Sequence, residues 1–262
     1  MLMQMFADVL YSLVAALVFL SVVFCIAHYK KRYDLIDSAW GPTFLVIALA
    51  LVARHGIINA TSLIVTVMVF IWALRLASHV FVRFVRSSEE DRRYIELRKK
   101  WPKKYIAAQV FVRIYVVQAL LATLISLPVI FILSNGSTNI HLASIGMAVW
   151  LVGIVIESVA DSQLKIFLSI PENRGRLMTD GLWGYSRHPN YFGEVLLWWG
   201  IGIIGFTTVF MSLAFLGPVL LTLLILFVSG VPPAEKNSSK KPGWKEYASK
   251  TNVLIPWPPN EE

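Results

Sequence analysis

Long apolar runs separated by short polar stretches dominate the chain. Seven can be read, at approximately 6–28, 38–54, 58–81, 108–134, 141–164, 189–207 and 209–230. Several reach the roughly 20 residues that carry a helix across about 30 Å of hydrocarbon. The pattern predicts an all-α polytopic membrane protein of about seven transmembrane helices. The second run is short and holds Gly41 and Pro42, which predicts a helix that is tilted, kinked or partly buried in protein. The break between the last two is marked only by Gly205, Thr207 and Thr208. The first run lacks a basic region ahead of it and is too long for a signal peptide, so it reads as a retained helix. Residues 1–262 read as a single integral membrane domain.

Composition agrees with the pattern. Of 262 residues 56% are hydrophobic and 15% charged, against about 25% charged in a soluble domain, and the mean hydropathy is +0.64. These values exclude a cytosolic enzyme, a disordered chain and a disulfide-stapled secreted domain. The single cysteine, Cys25, lies inside an apolar run, which excludes disulfide and cysteine–zinc frameworks.

The net charge of +8 takes its meaning from where it sits. Nucleic-acid binding needs a surface stripe of cations, whereas here the basic residues fill a few short loops. Lys30, Lys31 and Arg32 follow the first run, and nine basic residues from Arg83 to Lys104 follow the third. Lys165, Arg174, Arg176 and Arg187 separate the fifth from the sixth, and five lysines from Lys236 to Lys250 occupy a proline-rich tail. The opposite loops hold Arg54 alone. The positive-inside rule predicts an external N-terminus and a cytoplasmic C-terminus, the parity of seven crossings. Membrane lipids and a lipophilic small molecule are the expected partners.

Ionisable groups at membrane depth cost several kcal/mol unless they face a cavity or a partner, so each marks a candidate site. Asp34 and Asp37 open the second run in Asp34-Leu-Ile-Asp37-Ser-Ala-Trp40; Asp37 or Ser38 is also a candidate helix cap. Trp72 and Arg75 close the third run, where Arg75 has the alternative of snorkelling to the interface. Glu157, Asp161 and Lys165 share one face at the end of the fifth run. No metal-binding spacing accompanies His79.

The richest segment is Tyr185-Ser-Arg187-His188-Pro189-Asn190-Tyr191-Phe-Gly193-Glu194. Pro189 suits a first helical turn, Glu194 follows Asn190 on the same face, and Arg187 and His188 flank a helix start that favours anions. An interfacial aromatic belt explains the tyrosines and tryptophans but not Glu194. With Arg75, Arg176 and Arg92 or Arg93, these residues predict a membrane cavity with a positively charged mouth, fit for a ligand with several phosphates. Neither a P-loop, a Gly-x-Gly-x-x-Gly fingerprint nor Gly-x-Ser-x-Gly occurs.

Arg187-His-Pro-Asn-Tyr-Phe-Gly-Glu194 after Gly181-Leu-Trp, with Gly230-Val-Pro and Ile255-Pro-Trp, resembles the steroid 5α-reductase superfamily, and within it the bacterial branch labelled DUF1295. Asp37-Ser-Ala-Trp40-Gly, Trp72-x-x-Arg75 and Glu157-x-x-x-Asp161 extend the resemblance over nearly the whole chain; the reductase-like region proper is about 108–262. Isoprenylcysteine carboxyl methyltransferases and sterol reductases share the Arg-His-Pro-x-Tyr element. The resemblance implies NADPH entering from the cytoplasm and hydride transfer to a C=C bond conjugated to a carbonyl in a steroid-like or other lipophilic substrate, in a bacterial inner membrane. By motif, Asp161, Arg176, Tyr185, Asn190 and Glu194 match cofactor positions. Arg75, Lys165, Arg187, His188 and Tyr191 complete the expected cofactor set, and Asp37 and Trp72 are the expected catalytic pair. Where steroid reductases carry Gln-Glu-Leu-Pro and a substrate-contacting tyrosine, this chain has Asp37-Ser-Ala-Trp40 and Trp72.

The expected chemistry has a protonated Asp37 polarising the carbonyl, with Tyr33 or another tyrosine as an alternative donor. Arg176 and Arg187 would read the extra phosphate of NADPH. Two other classes compete: an S-adenosylmethionine-dependent methyltransferase, which needs no phosphate clamp, and a non-catalytic lipid-binding protein. Equilibrium binding of the two cofactors separates all three.

Overall fold

The computed structural model describes residues 2–57, 59–87, 89–136, 139–206 and 211–259, with Arg83 and Met211 described by backbone alone. Helices α1 (Leu2–Lys30), α2 (Leu35–His55) and α3 (Ala60–Arg86) form where the first three apolar runs predict them. A short polar helix, α4 (Arg92–Lys99), follows in the basic loop. The fourth run becomes α5 (Ile106–Val110), a π-helical turn at Phe111–Val116 and α6 (Val117–Ile125), then α7 (Leu127–Asn135) beyond Ser126. Next come α8 (Ile140–Ser169), α9 (Leu182–Tyr185) and α10 (Pro189–Gly205). The C-terminal part holds α11 (Leu216–Leu224), a π turn at Ile225–Ser229, α12 (Val231–Ser238) and α13 (Trp244–Lys250).

Among the described residues six helical stretches are long and apolar enough to cross a membrane: α1, α2, α3, Ile106–Ile125, α8 and Ser212–Ser238. The predicted sixth span is α10, whose 17 residues rise about 25 Å and fall short of the others. The break markers Thr207 and Thr208 lie outside the described residues. The protein is an all-α polytopic membrane protein.

The chain gathers into two compact units, Met1–Thr138 with Gly205–Ala214, and Asn139–Ile204 with Phe215–Glu262. In the first, α2 is the central helix and packs on α1, α3, α6 and α7. Its proline explains a local repair. Pro42 cannot donate to the Ser38 carbonyl, and the next residue, Thr43, returns its hydroxyl to the Ala39 carbonyl at 2.8 Å. Gly41 lets α3 approach, since a Cβ there would stand 3.0 Å from the Ala73 carbonyl oxygen. Phe44, Ile47 and Leu51 fill the interior.

One expectation is corrected here. Neither Asp37 nor Ser38 caps α2: the helix starts at Leu35, and Asp34 stands at the cap position without a side-chain capping bond. At the other end of α2, Arg54 Nε lies 2.9 Å from Asp8, an acid of α1 that is fully buried and also 3.0 Å from His55 Nε2.

In the second unit α8 and α10 run antiparallel in very close contact. A Cβ on Gly193 would stand 2.5 Å from the Glu157 backbone nitrogen, and one on Gly200 would stand 2.6 Å from the Gly146 carbonyl. Gly146 and Gly153 return the contact to Gly200 and Leu197. The two pairs are each seven residues apart, two turns, so both helices present one glycine seam. Asn139 caps α8 by accepting from His141 N and Leu142 N at 3.1 Å each.

Candidate functional site

The seam decides what the polar residues of the second unit can reach. Glycine contact carries α10 so close to α8 that Asn190 Nδ2 donates to Asp161 Oδ1 at 3.1 Å. Glu157, one turn before Asp161, is 3% exposed and lies against Gly193. Glu194 is half-buried one turn beyond Asn190. Asn190 Oδ1 is buried and, among the described residues, accepts no hydrogen bond. A buried acceptor without a donor is costly in the protein alone, and it marks a place where a donor from a ligand would be gained. Lys165 is exposed on the far turn of the same face.

The segment before α10 is fastened on both sides. Gln163 accepts from Leu182 N at 3.1 Å, and Trp183 Nε1 donates to the Ala160 carbonyl at 3.1 Å. On the other side Tyr247 of α13 donates to the Trp183 carbonyl at 2.6 Å; burial pushes its phenol up to about 12. Tyr185 is about half exposed and its carbonyl accepts from Trp257 N at 3.0 Å.

The Arg187 guanidinium turns to the tail, with Nε 2.8 Å from Glu235 Oε1 and Nη1 donating to the Ala248 and Thr251 carbonyls at 2.7 and 2.8 Å. A donor fork engaged in this way fastens α12 and α13 to the start of α10. Buried His188 joins it, 3.4 Å from the same Glu235 oxygen and stacked on Tyr191 at 5.3 Å. These three expected cofactor residues therefore form a clasp on the tail.

Burial holds the His188 imidazole below its ordinary value of 6.5, with Glu235 pulling the other way. Such a histidine binds its proton better when unfolded, so its contribution is present above the unfolded value and lost as pH falls through the folded one. Melting of the detergent-solubilised protein is therefore expected to drop on acidification from about pH 7 to about pH 5. His188→Gln should drop less over the same interval; parallel curves would remove His188 from the clasp.

Beside the clasp lies a cavity of 490 Å³ lined by Arg176, Thr179, Gly184, Tyr247, Lys250 and Thr251, among others, within the roughly 300–1,000 Å³ of small-molecule sites. Arg176 is exposed on it, and its carbonyl accepts from Lys241 Nζ at 3.1 Å.

The first unit holds the other candidates. Asp37 accepts on both oxygens, from Arg93 Nη2 at 2.7 Å and from the Tyr94 hydroxyl at 2.5 Å. Arg93 also grips Asp91, which caps α4 through Arg93 N at 2.9 Å. Asp34 takes both prongs of Arg32 at 2.9 and 2.8 Å and the Asp91 amide at 3.1 Å. Arg98 pairs with Glu90 through both nitrogens. This network folds the basic loop onto the Arg32–Asp37 corner around a 310 Å³ cavity lined by Arg32, Asp34, Asp37, Phe84 and Asp91 among others. The two Asp37 oxygens thus each take a hydrogen bond from α4. Tyr94, 8% exposed, is the residue that sequence reasoning did not single out. Burial and the adjacent Asp37 push its phenol far above the ordinary value, which keeps its proton on.

Trp72 is 1% exposed and meets Phe44 edge-on at 5.2 Å, with an indole N–H as its only polar group. Arg75 is half-buried one turn along α3, its carbonyl accepting from Ser78.

These observations define an all-α membrane protein whose helices carry an acid–amide pair in one unit and an acid–phenol pair in the other. Residues 23–251 match the family described as "Protein of unknown function (DUF1295)", and the chain belongs to that family. No curated protein and no solved structure matches it.

Proposed function

We propose that this protein is an NADPH-dependent membrane reductase acting on a C=C bond conjugated to a carbonyl in a lipophilic substrate. The carrying observation is Asn190: its amide nitrogen is fixed by Asp161 at 3.1 Å, and its Oδ1 is a buried acceptor awaiting a donor. That acceptor fits the carboxamide N–H of a nicotinamide, and the carboxylates Asp161, Glu157 and Glu194 nearby suit ribose hydroxyls. Arg176 and Lys250, on the 490 Å³ cavity, suit phosphates, because cations there are the strong partners of phosphate oxygens. NADPH, when bound, supplies the hydride.

The chain's own part is to orient the cofactor through Asn190 and Asp161, whose amide–carboxylate bond is 3.1 Å long, and to exclude water from the apolar helix seam. A steroid is only one of the substrates this reading admits.

Titrating the purified protein with NADPH and with S-adenosylmethionine tests the reading. Saturable NADPH binding is expected, weakened about tenfold by Asn190→Ala, the cost of one buried hydrogen bond. Saturable S-adenosylmethionine binding with none to NADPH would replace the reductase by a methyltransferase, and binding to neither would leave a lipid-binding protein.

A further inference from the structure

We infer that the first unit binds an anionic phospholipid at the start of the fourth span, through Trp101, Lys103, Lys104 and Arg113. The span begins at Ile106, and Arg113 lies about two turns into it. Arg113 is exposed, on the π turn Phe111–Val116, a feature often found at functional positions. No Asp or Glu occurs between Glu96 and Glu157, and among the described residues no acid pairs with Arg113. An unpaired cation at this depth is costly unless it reaches the phosphate layer. The side chain bends that way, with its guanidinium 5.0 Å from the Trp101 ring.

The loop it reaches is held in place. Gln109 Nε2 donates to the Pro102 and Lys104 carbonyls, both at 2.8 Å, which pins Trp101–Lys104 onto the first turns of the helix. Lys99, Lys100, Lys103 and Lys104 are exposed, and Tyr105 is 72% exposed with Lys104 Nζ 5.0 Å from its ring. Arg93 and Arg98, by contrast, have acid partners in the same loop, Asp91 and Glu90. The guanidinium fork takes phosphate oxygens in pairs while the lysines add point charges. Exposed Val112, Val117 and Leu120 continue along the helix, as acyl chains require and a soluble phosphate does not. Basic clusters beside a membrane span bind anionic headgroups on this physics.

Native mass spectrometry of the full chain in micelles, with phosphatidylglycerol or phosphatidylcholine added, reads the site directly. The wild type is expected to retain phosphatidylglycerol about fivefold over phosphatidylcholine, the worth of one well-placed cation. Arg113→Leu should abolish that preference, and Lys240→Gln in the tail should leave it. Lys103→Gln with Lys104→Gln supplies a second loss variant should Arg113→Leu fail to fold. Wild-type preference in the folded loss variants, or equal retention of both lipids by the wild type, would overturn the site. Displacement of the lipid by an equal concentration of glycerol phosphate would instead make it a site for free phosphate and overturn the lipid assignment.

Discussion

Tyr94→Phe is expected to cost about 1.5–3 kcal/mol of stability, the worth of a hydrogen bond to a charged group, and to lower the melting temperature in micelles accordingly. The substitution keeps the ring that fills its buried position and removes only the hydroxyl that donates to Asp37 at 2.5 Å. Asp37 keeps Arg93 at 2.7 Å, so the loss should be smaller than that of Asp37→Asn, which weakens both contacts at once. An unchanged melting temperature in Tyr94→Phe would show that the phenol does not hold the basic loop to the Arg32–Asp37 corner.

Gly193→Ala should cost about 2–3 kcal/mol, the range for overpacking a close contact, and lower the melting temperature in micelles by about 4–12 °C. The new Cβ meets Glu157 N at 2.5 Å, Glu157 Cβ at 2.7 Å and the Gly153 carbonyl at 2.7 Å. Two of the three are backbone atoms, so no rotamer change relieves them and the helices must part. Parting them draws Asn190 away from Asp161, so NADPH binding should weaken along with stability. Gly175→Ala is the contrast: its Cβ meets nothing within 4 Å, and its φ of 80° leaves only backbone strain, about 1–2 kcal/mol. Equal losses from the two variants would show that the seam contributes no more than a turn does.

The same pair of variants shows how unevenly the candidate site was written into the chain. Asp161 and Asn190 were legible because a charged or amide side chain in an apolar run must have a reason, and their helix phases were readable from spacing. The glycines of the seam were visible as glycines, yet nothing in one run says which other run its small residues will face. The partner of Arg187 was hidden for a related reason. A guanidinium beside a helix start suits an anion, but Glu235 is 48 residues further on, and no local rule brings it back. Asp37 and Tyr94, 57 residues apart, and Asp8 with Arg54 and His55 are cases of the same kind.

Membrane class, helical composition and the approximate spans needed only the one-dimensional pattern. Backbone polar groups in hydrocarbon have to be satisfied within the helix, so a long apolar run leaves the chain one solution. The identity of each polar side chain's partner came from packing alone. Those pairings depend on which helices touch and in what register, and contact geometry, more than hydropathy, sets both. The tail clasp on Arg187 and the phenol on Asp37 both belong to that second group, because each is a consequence of long-range contact between segments that hydropathy treats as independent.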